Sequence, residues 1–101
     1  MKKPIRISKG VDSLQLSTTF VMECMADADS RLRSAHLAFK EYECPGGSAI
    51  CIYAVADEIF AFTKDEAALG PFGDFRTMGI ADVRRFWRYL KGAERWNVDS
   101  S

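Results

Sequence analysis

The stretch from Ala49 to Thr63 is the feature that most limits how this chain can fold. It contains two runs rich in isoleucine, valine, tyrosine and phenylalanine, Ile50–Val55 and Ile59–Thr63, and its charges fall between them. Such residues suit a pleated, buried surface, so the stretch predicts a β-hairpin. Side chains alternate across a strand, and both alternating sets are largely apolar here. Both faces of the hairpin therefore need cover.

We expect a second copy of the chain to supply part of that cover. Apolar residues at alternating steps of four and three predict one long helix from about Thr18 to Glu43. A helix of that length would overhang a domain of this size and leave part of its apolar stripe exposed. A two-fold dimer would bury both surfaces by using the same patch twice. The sequence therefore predicts a homo-oligomer, with a dimer as the first choice.

Two short strands are predicted ahead of the long helix. Ile5–Ile7 alternates after a proline and suits an edge strand, and Val11–Leu16 follows a Lys-Gly turn and suits the returning strand. Ser17 then suits the N-cap of the helix, because its hydroxyl can accept from the first unpaired N–H groups.

A second pattern overlaps the start of this helix. Residues 14–25 also alternate between apolar and polar, so the strand could continue and the helix could begin near Asp27 or Asp29. The high helix propensity of residues 22–26 favours the earlier start at Thr18.

The second half of the chain predicts a short helix, a loop and a final helix. Thr63 and Glu66 have the spacing of a capping box, which opens a helix over residues 64–69 before Gly70 and Pro71 stop it. A glycine-punctuated loop follows over residues 72–79, then a helix over residues 80–96 and a disordered tail at 97–101. The prediction is one α+β domain over residues 1–101, with a small antiparallel sheet of about four strands and two main helices, in the order ββαββα, plus the short helix near 64–69.

Composition indicates a globular protein of the cytoplasm. Hydrophobic residues make up 48% of the chain, and basic and acidic residues both number 14, so no net charge favours nucleic acid or an anionic membrane. No apolar run approaches the roughly 20 residues of a membrane helix, and the first residues lack the apolar core of a secretory signal. Three cysteines without CxxC spacing suit reduced thiols.

The final predicted helix has a basic face that could contact an anionic partner. Its members are Arg84, Arg88, Lys91 and Arg95. With Tyr89 and Trp96 nearby, such a face can meet phosphates while rings stack on bases, which suits nucleic acid. The neutral chain and the lack of a nucleic-acid-binding motif argue against that partner. Salt bridges to the acidic residues of the segment 57–66, or an acidic protein partner, explain the face equally well.

An apolar ligand pocket is the other candidate site, placed under the loop of residues 72–79. Its predicted lining is aromatic: Tyr53, Phe60, Phe62, Phe72, Phe75 and Trp87. Apolar pockets with a few polar groups are typical of ligand sites, although aromatic residues more often form the core.

No motif for catalysis, a cofactor or a metal is found. His36 is the sole histidine, and it has no companion at the spacing that a general base or a metal ligand needs. A cysteine and His36 could still meet in space. The leading hypothesis is a non-enzymatic, self-associating binding domain. A small apolar-ligand binder is the second, and nucleic-acid contact through the last helix is the third.

Overall fold

The chain forms a mixed β-sheet with helices on both of its faces. The computed structural model describes residues 4–32, 36–69, 79–90 and 95–96. The elements in chain order are β1 (Pro4–Ile7), α1 (Lys9–Ser13), α2 (Thr18–Leu32), β2 (Leu37–Glu43), β3 (Ala49–Val55), β4 (Glu58–Thr63), α3 (Lys64–Leu69), α4 (Ile80–Leu90) and β5 (Arg95–Trp96). The predicted α+β class is confirmed.

The strands are ordered β2-β3-β4-β1-β5 across the sheet. β1 is parallel to β4, and the other three pairings are antiparallel. The prediction of a purely antiparallel sheet is therefore wrong. The reason is the path of the chain: α1 and α2 carry it back along one face of the sheet, so β2 starts in the same direction as β1. β3 is antiparallel to β2, and β4 is antiparallel to β3, so β4 has the same direction as β1 and pairs with it in parallel.

The predicted central hairpin is confirmed. β3 pairs with β4 across a register that sets Ile52 opposite Ala61 and Tyr53 opposite Phe60. The strands are joined at Ala56 and Asp57, and Ala56 has a φ of 53° in the left-handed region. Every residue of β3 is buried, and so is every residue of β4 after Glu58.

Each face of the hairpin is covered by helices of the same chain. One face lies under α1 and α2 in a cluster of buried residues formed by Ile5, Ile7, Val11, Val21, Cys24, Met25, Ala28, Cys44, Ile50, Ile52, Ile59 and Ala61. The opposite face packs against α3 and α4 in a second cluster formed by Cys51, Tyr53, Val55, Phe60, Phe62, Ala67, Val83 and Phe86. A single chain thus seals both surfaces, which removes the first reason for expecting a dimer.

The predicted strand over Val11–Leu16 is wrong, because residues 9–13 form α1. The hydroxyl of Ser8 accepts from the Val11 N–H at 3.2 Å, and the carboxylate of Glu66 accepts from the Gly10 N–H at 3.1 Å. These acceptors satisfy N–H groups at the start of a helical turn, and one of them comes from a distant part of the chain. The alternation of apolar residues between Val11 and Leu16 carries no information about the contact between Gly10 and Glu66.

The predicted long helix is half right. It begins at Thr18 as predicted, with the Ser17 hydroxyl accepting from the Phe20 N–H at 3.1 Å, so the alternative start near Asp27 or Asp29 is wrong. α2 ends at Leu32 after 15 residues, however, and Leu37–Glu43 is the strand β2. An overhanging helix, the second reason for expecting a dimer, is therefore absent from these residues.

Pairing with β3 is the reason why β2 is a strand. The two strands match over seven positions, and the rings of Phe39 and Tyr53 lie opposite each other with centroids 4.9 Å apart. On the other face, the Tyr42 hydroxyl donates to Asp27 on α2 at 2.6 Å. When an apolar pattern fits both a helix and a strand, the neighbouring element that it packs against decides which of the two forms.

The predicted capping box is confirmed. The Glu66 carboxylate accepts from the Thr63 N–H at 2.8 Å, and the Thr63 hydroxyl accepts from the Glu66 N–H at 3.0 Å. The short helix α3 then runs to Leu69 as predicted. The loop with Phe72 and Phe75 and the tail 97–101 lie outside the described residues.

The predicted final helix is shorter than expected. α4 covers Ile80–Leu90, while Arg95 and Trp96 form β5 and pair with β1. The reason is that the outer edge of β1 has backbone N–H and C=O groups that need hydrogen-bond partners, and residues 95–96 supply those partners.

Candidate anion-binding site

Three side chains from the sheet share one face at the start of β4. Glu58 and Phe60 are two positions apart on β4, so they point the same way, and Arg6 on β1 lies beside Phe60 in the parallel register. α4 packs against this face of the sheet, as Phe60 and Val83 belong to the same buried cluster. The sheet therefore directs one cation and one anion toward α4.

Glu58 links the two elements by ion pairs. Its Oε2 lies 2.8 Å from Nε of Arg6, and its Oε1 lies 2.8 Å from Nε of Arg84 on α4. The Glu58 side chain is 14% exposed, against 23% for Arg6 and 39% for Arg84. Each carboxylate oxygen thus accepts a charge-assisted hydrogen bond in a partly shielded setting. The carboxylate fixes the positions of both guanidinium groups.

A depression of about 260 Å3 lies over these groups. Its lining residues are Arg6, Glu58, Phe60, Arg84, Trp87 and Arg88. Arg88 is exposed and makes no hydrogen bond or ion pair with any residue in the described ranges. Three of the lining residues are arginines, and among the described residues the charge of Arg88 has no acidic partner. The depression is therefore suited to a negatively charged group.

Aromatic rings support the depression from below. The Trp87 ring meets Phe60 edge-on at 5.8 Å and Phe62 at 6.3 Å between centroids. Phe60 and Phe62 are stacked at 6.4 Å. Such contacts restrict the half-buried Trp87, which reaches the depression while its neighbours stay in the core.

The structure divides the predicted aromatic pocket into separate groups. Phe60 and Trp87 line the depression, although Phe60 is only 1% exposed, whereas Tyr53 and Phe62 are buried in the same cluster and are not part of the lining. Burial raises the pKa of Tyr53 to about 12. Phe72 and Phe75 lie outside the described residues, so the predicted pocket beneath their loop has no structural account.

The structure also divides the predicted basic face. Arg84 and Arg88 lie together at the depression on α4. Arg95 belongs to the strand β5, so the four residues do not form one helix face, and Lys91 lies outside the described residues. The alternative explanation by salt bridges is confirmed for Arg84, which pairs with Glu58.

Sequence reasoning missed Arg6 altogether and considered Glu58 only as a salt-bridge partner. These two residues are 52 positions apart and meet because β1 and β4 are parallel neighbours. A lone arginine in a short N-terminal strand gives no local signal for such a contact. The contact between Arg6 and Glu58 becomes visible only once the order of the strands in the sheet is known.

The other reactive side chains are placed apart from this site. Cys24, Cys44 and Cys51 are buried free thiols, and burial raises the pKa of Cys24 and of Cys51 to about 11, which disfavours the reactive thiolate. His36 is exposed, and its backbone carbonyl accepts from the Ala56 N–H at 2.8 Å. Among the described residues, no group of three or more His, Cys, Asp or Glu side chains is arranged to hold a metal ion.

No known protein family, curated protein or solved structure matches this chain. Within residues 4–32, 36–69 and 79–90, no helix is long and apolar enough to cross a membrane. The fold class alone does not indicate a function, because one fold carries many functions. The geometry of the depression therefore carries the functional argument.

Proposed function

We propose that this protein is a binding domain for a small anionic ligand, held in the depression between β1, β4 and α4. The observation that carries the proposal is the arrangement of Arg6 and Arg84 around Glu58, with Arg88 beside them and free of described partners. The proposal combines two of the sequence-based hypotheses, since residues from the predicted pocket and from the predicted basic face line the same depression.

Preorganisation is the first physical support. Glu58 engages the Nε of Arg84, and neither Nη group of Arg84 makes a hydrogen bond to another described residue. Those donors are held in place before any ligand arrives. A guanidinium group presents its donors in a rigid plane that matches carboxylate and phosphate oxygens. Binding to a positioned arginine loses less side-chain entropy than binding to a mobile one.

Size and charge support a small molecule over nucleic acid. A depression of about 260 Å3 is just below the lower end of the volumes of ligand pockets, about 300 Å3. Arg85, the nearest additional arginine on α4, pairs with Asp82 at 3.2 Å. The positive charge is thus concentrated at one spot and does not extend along the exposed side of the helix.

Calorimetry with a panel of aryl anions tests the proposal. We expect phenyl phosphate, phenyl sulfate or benzoate to bind the wild-type protein, and neutral benzyl alcohol to bind at least about tenfold more weakly, because it has no negative charge to pair with the arginines. Arg88→Gln should weaken anion binding about tenfold. Arg85→Gln is the matched control on the same helix, because Arg85 lies outside the depression. The proposal fails if no anion binds, or if both variants lose affinity equally.

Self-association through the outer edge of β2 is a second candidate. Among the described strands, β2 pairs with β3 alone, so one edge of a strand of seven residues has backbone groups available to a second copy. Light scattering over a range of concentrations tests it. A mass that rises toward two chains supports the candidate, and a single-chain mass throughout refutes it. We further infer a cytoplasmic location, which the three free thiols support.

A further inference from the structure

We propose that Cys24 and Cys44 form a redox modification site, a pair of thiols that a peroxide oxidises to a disulfide joining α2 to the end of β2. This inference goes beyond the proposed anion-binding function and is independent of it. The two thiols belong to the cluster under α1 and α2, whereas the depression lies on the opposite face of the sheet, under α4.

The path of the chain brings the two thiols to the same place. β2 begins five positions after the end of α2, so the strand runs back along the helix. The hydrogen bond from Tyr42 to Asp27, at 2.6 Å, fixes these two elements against each other. Cys24 is one turn before Asp27 on the same side of α2. Cys44 follows β2 directly, two positions beyond Tyr42 and on the same face. Because the elements run in opposite directions, both steps lead to the same side of the contact.

The positions of the side chains agree with this path. Cys24 and Cys44 are each 6% exposed and lie in one buried cluster. The Cys44 Sγ is 4.0 Å from the carbonyl oxygen of Tyr42, so the sulfur lies back along the strand, toward the contact with α2. Burial, and after it the charge of Cys44, raises the pKa of Cys24 to about 11. Burial and the hydrogen bond to Asp27 raise the pKa of Tyr42, and the charge of Cys24 adds to this effect. Charges act on one another in this way only at short range.

The sheet separates the third cysteine from this pair. Cys51 is seven positions from Cys44, whereas Cys24 is 20 positions away, so Cys51 is the nearer cysteine in the sequence. Cys51 nevertheless lies in the cluster on the opposite face, with Tyr53 and Phe62. A disulfide needs Cβ atoms that point toward each other, which residues on opposite faces of a sheet do not have. The fold therefore selects Cys24 as the partner of Cys44.

Oxidation by hydrogen peroxide begins at Cys44. This residue adjoins the exposed turn 45–48, and a backbone hydrogen bond from Ile50 offsets part of the rise in its pKa that burial causes. The Cys44 thiolate attacks one peroxide oxygen and the O–O bond breaks, which gives a sulfenic acid and one water. The Cys24 thiolate then attacks the Cys44 sulfur, the S–S bond forms, and the sulfenic oxygen leaves as the second water. Two thiols and one peroxide thus give one disulfide and two waters, and a thiol reductant reverses the change.

Peptide mapping after treatment with hydrogen peroxide tests the pair. We expect the folded protein to lose about 2 Da, the mass of two hydrogen atoms, and the fragment with Cys24 to be linked to the fragment with Cys44. Cys51→Ala is the matched control and should form the same disulfide. Cys24→Ala and Cys44→Ala should each fail to form it.

Oxidation in urea keeps the test decisive if a variant does not fold. In the unfolded wild-type chain, Cys44 and Cys51 close the shorter loop, so their disulfide should become the main product. The folded wild type should give the opposite preference, because tertiary structure holds Cys44 beside Cys24. The oxidised folded protein should also melt on the order of 10 °C higher, since the disulfide restricts the unfolded chain across 20 positions.

Three results would overturn the proposal. They are a link between Cys44 and Cys51 in the folded protein, the same products with and without urea, and oxidation to sulfinic acid with no disulfide. None of these results depends on whether an aryl anion binds in the depression, so failure of this inference and failure of the proposed function are separate outcomes.

Discussion

Glu58 and Arg84 lie 26 positions apart in the chain, and their carboxylate oxygen and guanidinium nitrogen are 2.8 Å apart in the folded protein. The contact joins the first residue of β4 to the middle of α4. Because the same carboxylate also holds Arg6, one side chain ties together β1, β4 and α4. The candidate site is therefore also a junction of the fold.

We expect Glu58→Gln to destabilise the protein by about 1–2 kcal/mol. The change leaves two partly buried guanidinium groups without their charged acceptor, and solvent screening at 23–39% exposure reduces the full value of such bonds. Urea denaturation measures the free energy of unfolding. Glu41→Gln is the control: its pair with Lys64 is exposed and spans 3.3 Å, so its loss should change stability by no more than about 0.5 kcal/mol. Equal effects of the two changes would contradict the structural role of Glu58.

Gly10→Ala should destabilise the protein by about 1–3 kcal/mol, comparable to other overpacking changes. A Cβ at this position would clash with the carboxylate of Glu66, and that carboxylate is held by Ser8, Gly10 and Thr63. The side chain therefore cannot move away without breaking its own hydrogen bonds. Thermal or urea unfolding measures the effect.

A double-mutant cycle separates this clash from a general loss of stability. Glu66→Ala alone should cost more than about 1 kcal/mol, because it removes the capping box and also the acceptor of the Ser8 hydroxyl and the Gly10 N–H. Adding Gly10→Ala in that background should have little further effect, since the obstructing carboxylate is gone. Additive effects of the two changes would show that Gly10 and Glu66 are not coupled.

Both faces of the hairpin should contribute to stability within a single chain. Ile52 is fully buried beneath α2, and Phe62 is 1% exposed beneath α4. We expect Ile52→Ala to cost about 2–5 kcal/mol and Phe62→Ala about 3–5 kcal/mol. Tyr89→Ala is the control, since Tyr89 is 74% exposed and should contribute less than about 0.5 kcal/mol.

The loss of stability in Ile52→Ala and Phe62→Ala, measured at several protein concentrations, shows whether the hairpin is covered by its own chain or by a second copy. If each face is sealed by helices of its own chain, Ile52→Ala and Phe62→Ala should lower the melting temperature by the same amount at low and high protein concentration. A second copy covering either face would make the melting temperature rise with concentration. Such a rise in the wild type, abolished by Ile52→Ala or Phe62→Ala, would contradict the cover described for that face.

Stability should fall as the pH rises above about 9. Burial raises the pKa of the Cys24 and Cys51 thiols to about 11 and that of Tyr53 to about 12 in the folded protein. The unfolded chain releases these protons first, near pH 9 for a thiol and pH 10 for a tyrosine, so unfolding becomes more favourable through this range. The stability contributed by these groups is complete below pH 9 and is lost as the pH rises toward 11–12.

Urea midpoints measured at pH 8, 9.5 and 10.5 test this pH dependence. The double variant Cys24→Ala, Cys51→Ala should show a shallower decline, because the two thiols no longer titrate. Its midpoint at pH 8 will be lower for packing reasons, so the slope with pH is the relevant quantity. An unchanged slope would exclude the thiols as the cause.

The sequence by itself determined the features that depend on neighbouring residues. The hairpin of β3 and β4 was predictable because apolar residues on both alternating sets need a buried strand, and the start of α3 was predictable because Thr63 and Glu66 cap each other across three positions. Ser17 likewise marks the start of α2 by a local hydrogen bond.

Tertiary structure decided between helix and strand for the residues whose apolar pattern fits both. Residues 37–43 belong to a stripe that also suits a helix, and pairing with β3 made them a strand. Residues 9–13 became a helical turn because Glu66 supplies an acceptor from a distant position, and Arg95 joined a strand because β1 had an edge to pair. The candidate site belongs to this second group. Arg6, Glu58 and Arg84 meet only because β1 lies parallel to β4 under α4, and long-range contacts of this kind leave no periodic trace in the sequence.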